Sequence, residues 1–350
     1  MASDFDGLGD VPEHLAFDVE GLVRGAGDHV PGLNKNVVVK KFKGGQSNPT
    51  YLLTTDEGRF VLRRKPPGKL LGSAHQVGRE ARVMMALWDT PVPVPRVLFH
   101  GEDPEMIGSE FFIMEFLEGR IFWNPLLPEL EKEERTELYL GLTDTLAALH
   151  MVDYKAVGLG DYGPEGGYIA RQIARWSKQY KASQTQDVQA VEDLIEWLPK
   201  HVPADDQTTL THGDFRLDNC MMGAQRPTPI GLIDWELSTL GHPLADLTYY
   251  LLNWKMPMSP GGGPSLTGID LDSLGIPDEK ALLDRYAEKT GAAIPDELDF
   301  YYAYCLFRLI GIVQGVVKRA ADGNASSDKA GSYAQMIVPL ATMAKQFAGI

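Results

Sequence analysis

The sequence predicts an α+β protein of two lobes: a β-rich N-terminal lobe with one helix over residues 1–117, and a larger helical C-terminal lobe over residues 118–350. Three observations predict it. Strand-like runs crowd the first third of the chain. Apolar residues at helical spacing dominate after Gly119. A single extended crossover near Met114–Gly119 joins the two patterns, without the strand–helix alternation of parallel βαβ units.

Taken in order, Val37–Phe42, Tyr51–Thr55 and Phe60–Lys65 are β-branched, aromatic or alternating, and read as strands. Asp56-Glu57-Gly58 between the last two is a hairpin turn signal. A helix is expected from about Ala74 to Trp88, because Val77, Ala81, Met84 and Trp88 fall at helical spacing. Pro91, Pro93 and Pro95 then force an extended link. Two more strands follow, Arg96–His100 and Phe111–Leu117.

Leu138, Leu142, Leu146 and Leu149 mark the first helix of the second lobe. Ile169, Ile173, Trp176 and Tyr180 mark another, and Val188, Val191, Ile195 and Leu198 a third. Leu210–Asp234 interrupts them with short strand-like runs and a polar loop, and helices resume near Leu244. Pro257–Gly268, rich in Pro and Gly, reads as an exposed, mobile loop. The stripe Tyr301, Tyr302, Cys305 and Leu309 reads as core.

Composition narrows the function classes. The 350 residues are 44% hydrophobic and 23% charged, the balance of a soluble globular protein. A net charge of −15 argues against a nucleic-acid-binding surface, which needs clustered Lys and Arg. Two cysteines make no disulfide framework and suit a reducing compartment. The acidic N-terminus lacks the apolar segment of a signal peptide. No run approaches the ~18 apolar residues of a membrane span. The expectation is a cytoplasmic protein with no membrane and no nucleic-acid partner; its oligomeric state is left open. Between Lys35 and Lys69, nine bases face two acids, a local charge of +7. That island reads either as a solvated strand face or as a handle for a phosphate-bearing ligand.

The stretch Leu210–Asp234 carries the chemistry. It holds His212-Gly213-Asp214, then Asn219 five residues after the aspartate, then Asp234 fifteen further on. Phosphoryl transfer needs a carboxylate to take or orient a hydroxyl proton, and hard oxygen ligands to hold magnesium on nucleotide phosphates. Asp214, Asn219 and Asp234 fit those roles in that order.

With these residues in place, the chain resembles the aminoglycoside phosphotransferase and choline kinase-like family, which shares the protein-kinase fold. His212, Asp214 and Asn219 have the spacing of the kinase pattern H-R-D-x-x-x-x-N, with Gly213 in place of the Arg. The stretches GGQSNPT, FVLRRKPPG, HGDFRLDN and IDWELSTLGHPLADL look most like the kinase-like domain fused to some acyl-CoA dehydrogenases, and like its free-standing bacterial relatives. The resemblance implies a small-molecule kinase using ATP or GTP with magnesium, and a small-molecule hydroxyl as acceptor. It makes residues 1–117 the nucleotide-binding lobe and 118–350 the catalytic and substrate-binding lobe. It implies that Arg63 contacts phosphates, that Glu80 fixes Arg63, and that Val61 touches adenine. Gly45, Ser47 and Asn48 would lie in the phosphate-covering loop. Glu115 and Phe116, after Met114, would present hinge backbone to the base. Asp214 would be the base, Arg216 would reach the γ-phosphate, and Asn219 and Asp234 would hold the metal. Asp246 would buttress the catalytic loop.

The chain departs from the family pattern in three places. Asp234-Trp235-Glu236 stands for D-F-G, so the glycine is absent and a constitutively formed site is expected. Arg63 replaces Lys, which keeps the charge and changes the donor geometry. His242 stands where many relatives have Asp. Two alternatives stay open: an aminoglycoside-modifying phosphotransferase, and a nucleotide-binding pseudokinase. A dinucleotide-binding oxidoreductase has one hook, G-x-G-x-x-G at Gly158–Gly163, but a helix precedes it and Pro164 follows. It reads as a loop, and His212 as a scaffold residue.

Overall fold

The computed structural model describes residues 7–34, 36–43, 48–67, 76–257, 264–322 and 333–350. In chain order these form β1 (Leu8–Gly9), α1 (Val19–Ala26), β2 (Val38–Phe42), β3 (Thr50–Thr54), β4 (Arg59–Arg64), α2 (Val77–Leu87), β5 (Val97–Gly101), α3 (Pro104–Ile107), β6 (Phe111–Glu115), β7 (Gly119–Arg120) and α4 (Lys132–His150). There follow α5 (Tyr168–Ser183), α6 (Gln189–Trp197), β8 (Thr209–Thr211), β9 (Cys220–Gly223), β10 (Pro229–Leu232), β11 (Thr239–Gly241), α7 (Pro243–Leu251), α8 (Leu271–Leu274), α9 (Glu279–Thr290), α10 (Asp299–Ala321) and α11 (Ala334–Ala348). They divide into two compact units: Met1–Thr145 with Val157–Leu159 and Leu217–Ser238, and Leu146–Ala156 with Gly160–Arg216 and Thr239–Ile350.

In the first unit, six described strands form an antiparallel sheet in the order β1-β2-β3-β4-β6-β5. Strand alternation gives this sheet two faces. Tyr51, Leu53, Phe60, Leu62, Phe111 and Ile113 bury against Leu22 and Ala26 of α1 and against Val30, Leu33 and Ile107. Each such fully buried side chain contributes ~1.5–3 kcal/mol. The opposite face carries one rung of Leu52, Val61 and Met114, and a second of Thr50, Arg63 and Phe112. Helix α2 packs against β5 and β6.

Helix α1 is absent from the sequence expectation. Gly21 and Gly25 weaken it locally, yet close packing needs them. A Cβ at Gly21 would lie 2.3 Å from the Met106 carbonyl oxygen, and one at Gly25 would lie 2.8 Å from the Met106 sulfur. The predicted helix over 74–88 is observed as Val77–Leu87, with Ala74 outside the described residues.

The basic island is largely answered by acids brought from elsewhere in the fold. Lys40 pairs with Asp10 at 2.7 Å, Arg59 with Glu118, and Lys65 with Glu110. Arg64 donates to the Ser109 hydroxyl at 2.9 Å. Lys35 and Lys69 lie outside the described residues.

In the second unit, α10 packs against α5, α7 and α11, and α11 packs against α6. Helix α10 is long and apolar enough to cross a bilayer, with a mean hydropathy of 1.5, but 78% of that window is buried inside the protein. Its Tyr301, Tyr302, Cys305 and Leu309 are core, as the stripe predicts. Gly158–Gly163 lies in turns, and α5 opens only at Tyr168, so the dinucleotide fingerprint has neither its strand nor its helix. Of the loop expected at Pro257–Gly268, residues 258–263 lie outside the described set. Its described end is pinned, not loose: Thr267 donates its hydroxyl to the Met256 carbonyl at 2.7 Å, and Leu266 is buried.

Candidate active site

The alternation of β4 puts Val61 and Arg63 on one face of the sheet. Both are buried, as is Glu80 on α2. The Arg63 guanidinium bridges two carboxylates, with Nε 2.9 Å from Glu80 Oε2 and Nη2 2.6 Å from Asp234 Oδ1. Asn48, fully buried, donates from Nδ2 to the other Glu80 oxygen at 2.8 Å. Burial lifts the Glu80 carboxyl to about 7, with Arg63 pulling against that and Asp234 and Glu236 adding to it. Burial disfavours the Arg63 charge, yet Glu80, Asp234 and Glu236 hold its pKa above the ordinary value. The network suits a group that must stay cationic in a dry place.

Asn219 and Asp234 meet through a hairpin. Strands β9 and β10 pair Cys220 with Leu232, and the Ile233 N–H donates to the Asn219 carbonyl at 2.9 Å. The fourteen residues between Asn219 and Asp234 are therefore a strand, a turn and a strand, which return Asp234 to the end where Asn219 begins. Asp234 itself has φ 65° and ψ 59°, a left-handed backbone that asparagine and aspartate tolerate better than most residues. A 3₁₀ turn, Trp235–Leu237, follows it. Trp235 is buried and donates its indole N–H to the Leu232 carbonyl at 2.9 Å, and the Ser238 hydroxyl donates to the Trp235 carbonyl at 2.6 Å. The carboxylate of Asp234 and the amide of Asn219 are hard oxygen donors of the kind that suits magnesium.

Of the other positions expected at the nucleotide, Gly45 and Ser47 lie outside the described residues. Glu115 ends β6, and its N–H is spent on the Arg96 carbonyl while its carboxylate accepts from the Arg96 N–H, both at 2.9 Å. The Arg59 guanidinium lies 4.3 Å from the centroid of the Phe116 ring.

In the second unit, β8 pairs with β11 and delivers His212-Gly213-Asp214. Gly213 has φ 81°, which a side chain would resist. Asp246, in the first turn of α7, accepts the His212 N–H at 2.7 Å and the Gly213 N–H at 2.9 Å. It is buried; burial works against its charge, but His150, His212 and the backbone donor hold its carboxyl below the usual range. His150 Nε2 lies 3.4 Å from Asp246, and its Nδ1 lies 2.6 Å from the Tyr286 hydroxyl. His212 is fully buried and its Nδ1 accepts the Asp214 N–H at 3.2 Å, which makes it a scaffold residue. His242 caps α7, its Nδ1 accepting from the Leu244 N–H at 3.2 Å, the task an aspartate performs at a helix start.

Asp214 accepts a hydrogen bond on Oδ1 from the Tyr249 hydroxyl at 2.7 Å, and Arg216 Nε lies 3.8 Å from Oδ2. Arg308 on α10 donates to the Gly213 carbonyl and lies 5.0 Å from the Tyr249 ring centroid. Tyr249 and Arg308 are absent from the sequence-based set. Tyr249 is three residues after Asp246 on α7, so helical spacing was the one available signal. Arg308 had none, since it lies 95 residues from Gly213.

With this geometry established, comparison with known proteins gives consistent results. A model of the phosphotransferase enzyme family matches residues 38–301. The chain is 42% identical over 311 residues to acyl-CoA dehydrogenase family member 10 of Mus musculus, covering 88% of this chain and 29% of that protein. It is 37% identical over 338 residues to acyl-CoA dehydrogenase family member 11 of Homo sapiens, covering 95% and 43%. It thus spans less than half the length of these curated relatives. A crystal structure from Ralstonia eutropha JMP134, classed provisionally as an aminoglycoside phosphotransferase, is 42% identical with a TM-score of 0.87, covering 95% of this chain and 99% of that one. A thermostable aminoglycoside phosphotransferase mutant, in ternary complex with ADP and hygromycin B, shares the fold with a TM-score of 0.61 at 14% identity, covering 94% and 98%. This chain belongs to the phosphotransferase enzyme family and has its kinase-like α+β fold.

Proposed function

We propose that this chain is a small-molecule kinase that moves the γ-phosphoryl group of ATP or GTP, with magnesium, to the hydroxyl of a hydroxyacyl-CoA or similar metabolic alcohol. The observation that carries the kinase reading is the Glu80–Arg63–Asp234 network. It ties the cation expected at the phosphates to the aspartate that the hairpin sets beside Asn219.

In this reading Asp214 accepts the hydroxyl proton as the acceptor oxygen bonds the γ-phosphorus. The bond from that phosphorus to the β–γ bridging oxygen breaks, and ADP leaves with the electron pair. Arg63 and Arg216 neutralise phosphate charge, and Glu80 with Asn48 orients Arg63. Val61 packs against the base, and the Glu115 carbonyl and the Phe116 backbone are the groups offered to it, since the Glu115 N–H is already bonded to Arg96. Asn219 and Asp234 hold magnesium, whose charge offsets that on the phosphate oxygens. Most of the rate comes from positioning and charge stabilisation.

The acceptor class draws support from the two curated relatives, both named as acyl-CoA dehydrogenases. A kinase module in such proteins would share their thioester substrates. Residues 221–350 carry 14 acids and ten bases, a charge of only −4, too mild to demand a polycationic drug. The provisional class of the Ralstonia structure favours the second reading, aminoglycoside modification. Side-by-side kinetics with 4-hydroxyacyl-CoA compounds, choline-like alcohols and several aminoglycosides decide between them. The highest kcat/KM is expected for a hydroxyacyl-CoA; an aminoglycoside well above every metabolic alcohol would install the second reading.

A further inference from the structure

We infer that Tyr249 is a positioning residue for the phosphoryl-transfer step, acting by holding the Asp214 carboxylate in the orientation that receives the acceptor proton. The inference rests on the reading of Asp214 as the base. Tyr249 is one helical turn beyond Asp246, and the two side chains divide the work. Asp246 fixes the backbone of His212 and Gly213 through two N–H bonds. Tyr249 fixes the side chain that this backbone presents, through its 2.7 Å bond to Oδ1.

A carboxylate on a short side chain rotates readily about its last bond. One strong donor on Oδ1 sets the plane of the group and turns Oδ2 toward its remaining partners, which include Arg216 at 3.8 Å. The phenol is suited to this task. Burial, with Asp214 beside it, pushes the Tyr249 hydroxyl far above its ordinary pKa, so it stays a neutral donor. Its ring is held in turn by Arg308, which is itself buried and bonded to the Gly213 carbonyl. The same cation thus steadies both the loop that carries Asp214 and the tyrosine that orients it.

The test is a four-protein cycle: wild type, Tyr249→Phe, Asp214→Asn and the double variant. Phenylalanine keeps the ring beneath Arg308 and removes only the hydroxyl; melting curves check the fold, and Tyr249→Met serves as a second variant. The readouts are kcat with the best alcohol of the panel above, acceptor-free Mg·ATP hydrolysis, and the calorimetric Kd for Mg·ATP. In the wild-type background Tyr249→Phe is expected to lower kcat about 10- to 100-fold, the scale of a hydrogen bond to a charged group, with Kd unchanged. In the Asp214→Asn background it is expected to do nothing further, because the group it orients is gone. An equal loss in both backgrounds would assign Tyr249 to packing and overturn the inference, as would full kcat in Tyr249→Phe. Wild-type turnover in Asp214→Asn alone is a separate outcome: it removes the base assignment on which the inference rests.

Discussion

Asp234 is asked to do two things that conflict in the free protein. Its Oδ1 is bonded to Arg63 at 2.6 Å, yet its carboxylate is also the full negative charge proposed at the metal. Truncating it leaves Arg63 paired with Glu80, so the fold has a fallback but the metal does not. Asp234→Ala is therefore expected to abolish magnesium-dependent ATP binding with a modest change in melting temperature. Calorimetry with and without magnesium measures it; an undiminished metal-dependent affinity would move the ligand elsewhere. Asp214→Asn is expected to lower transfer by at least ~100-fold, the usual scale for a positioned base, while ATP still binds. Arg63→Ala should be costly in a different currency. It strands Glu80 buried without its cation, a loss of ~3–5 kcal/mol that a denaturation midpoint would report. What was legible at this scale followed the chain: Asp214, Asn219 and Asp234 stand at spacings set by one loop and one hairpin. Tyr249 and Arg308 were not legible, because their roles depend on contacts 35 and 95 residues away.

Among the elements, β2 to β6 were read to within one or two residues, because alternation and a Gly-containing turn are local signals, whereas β1 and β7, two residues each, are too short to show any alternation. Val37–Phe42 was expected and Val38–Phe42 is observed; Phe111–Leu117 ends early, at Glu115. Helix α1 escaped notice for a physical reason: its two glycines weaken the helical signal and serve a close approach to Met106 that only the fold reveals. Helix α7 is the element on which the loop carrying Asp214 depends, since it bears Asp246 and Tyr249 behind a histidine cap. Burial depresses the His242 pKa below its ordinary 6.5, against the pull of Asp205 and Asp206 and with the push of His150. The unfolded chain therefore takes up the proton first as pH falls. Stability contributed by neutral His242 is present above about 6.5 and is lost as pH drops toward the depressed folded value. Melting wild type and His242→Asn at roughly pH 5.5 and 7.5 tests this, because asparagine keeps the cap and does not titrate. The wild type is expected to lose more stability on acidification than the variant. Equal losses in both proteins would place the acid sensitivity elsewhere.

For the whole molecule, charge was the least legible property. The segment of +7 read either as a solvated strand face or as a phosphate handle, and Lys40, Arg59 and Lys65 are matched by Asp10, Glu118 and Glu110, acids remote in sequence. Of the described cations in that segment, Arg63 differs in being buried between two carboxylates, one of them at the proposed metal position. Fold class was legible because element type follows local periodicity, whereas the acceptor depends on a surface that no periodicity encodes. The central claim is that this chain transfers a phosphoryl group to an alcohol, beyond binding or hydrolysing a nucleotide. A ³¹P NMR time course of Mg·ATP with a 4-hydroxyacyl-CoA and catalytic amounts of the chain tests it most directly. The expected result is loss of the γ-phosphorus signal with equal growth of ADP and a phosphate-monoester signal on the acyl-CoA, absent in Asp214→Asn. An unchanged ATP spectrum with every alcohol offered, or inorganic phosphate as the sole new product, would contradict it.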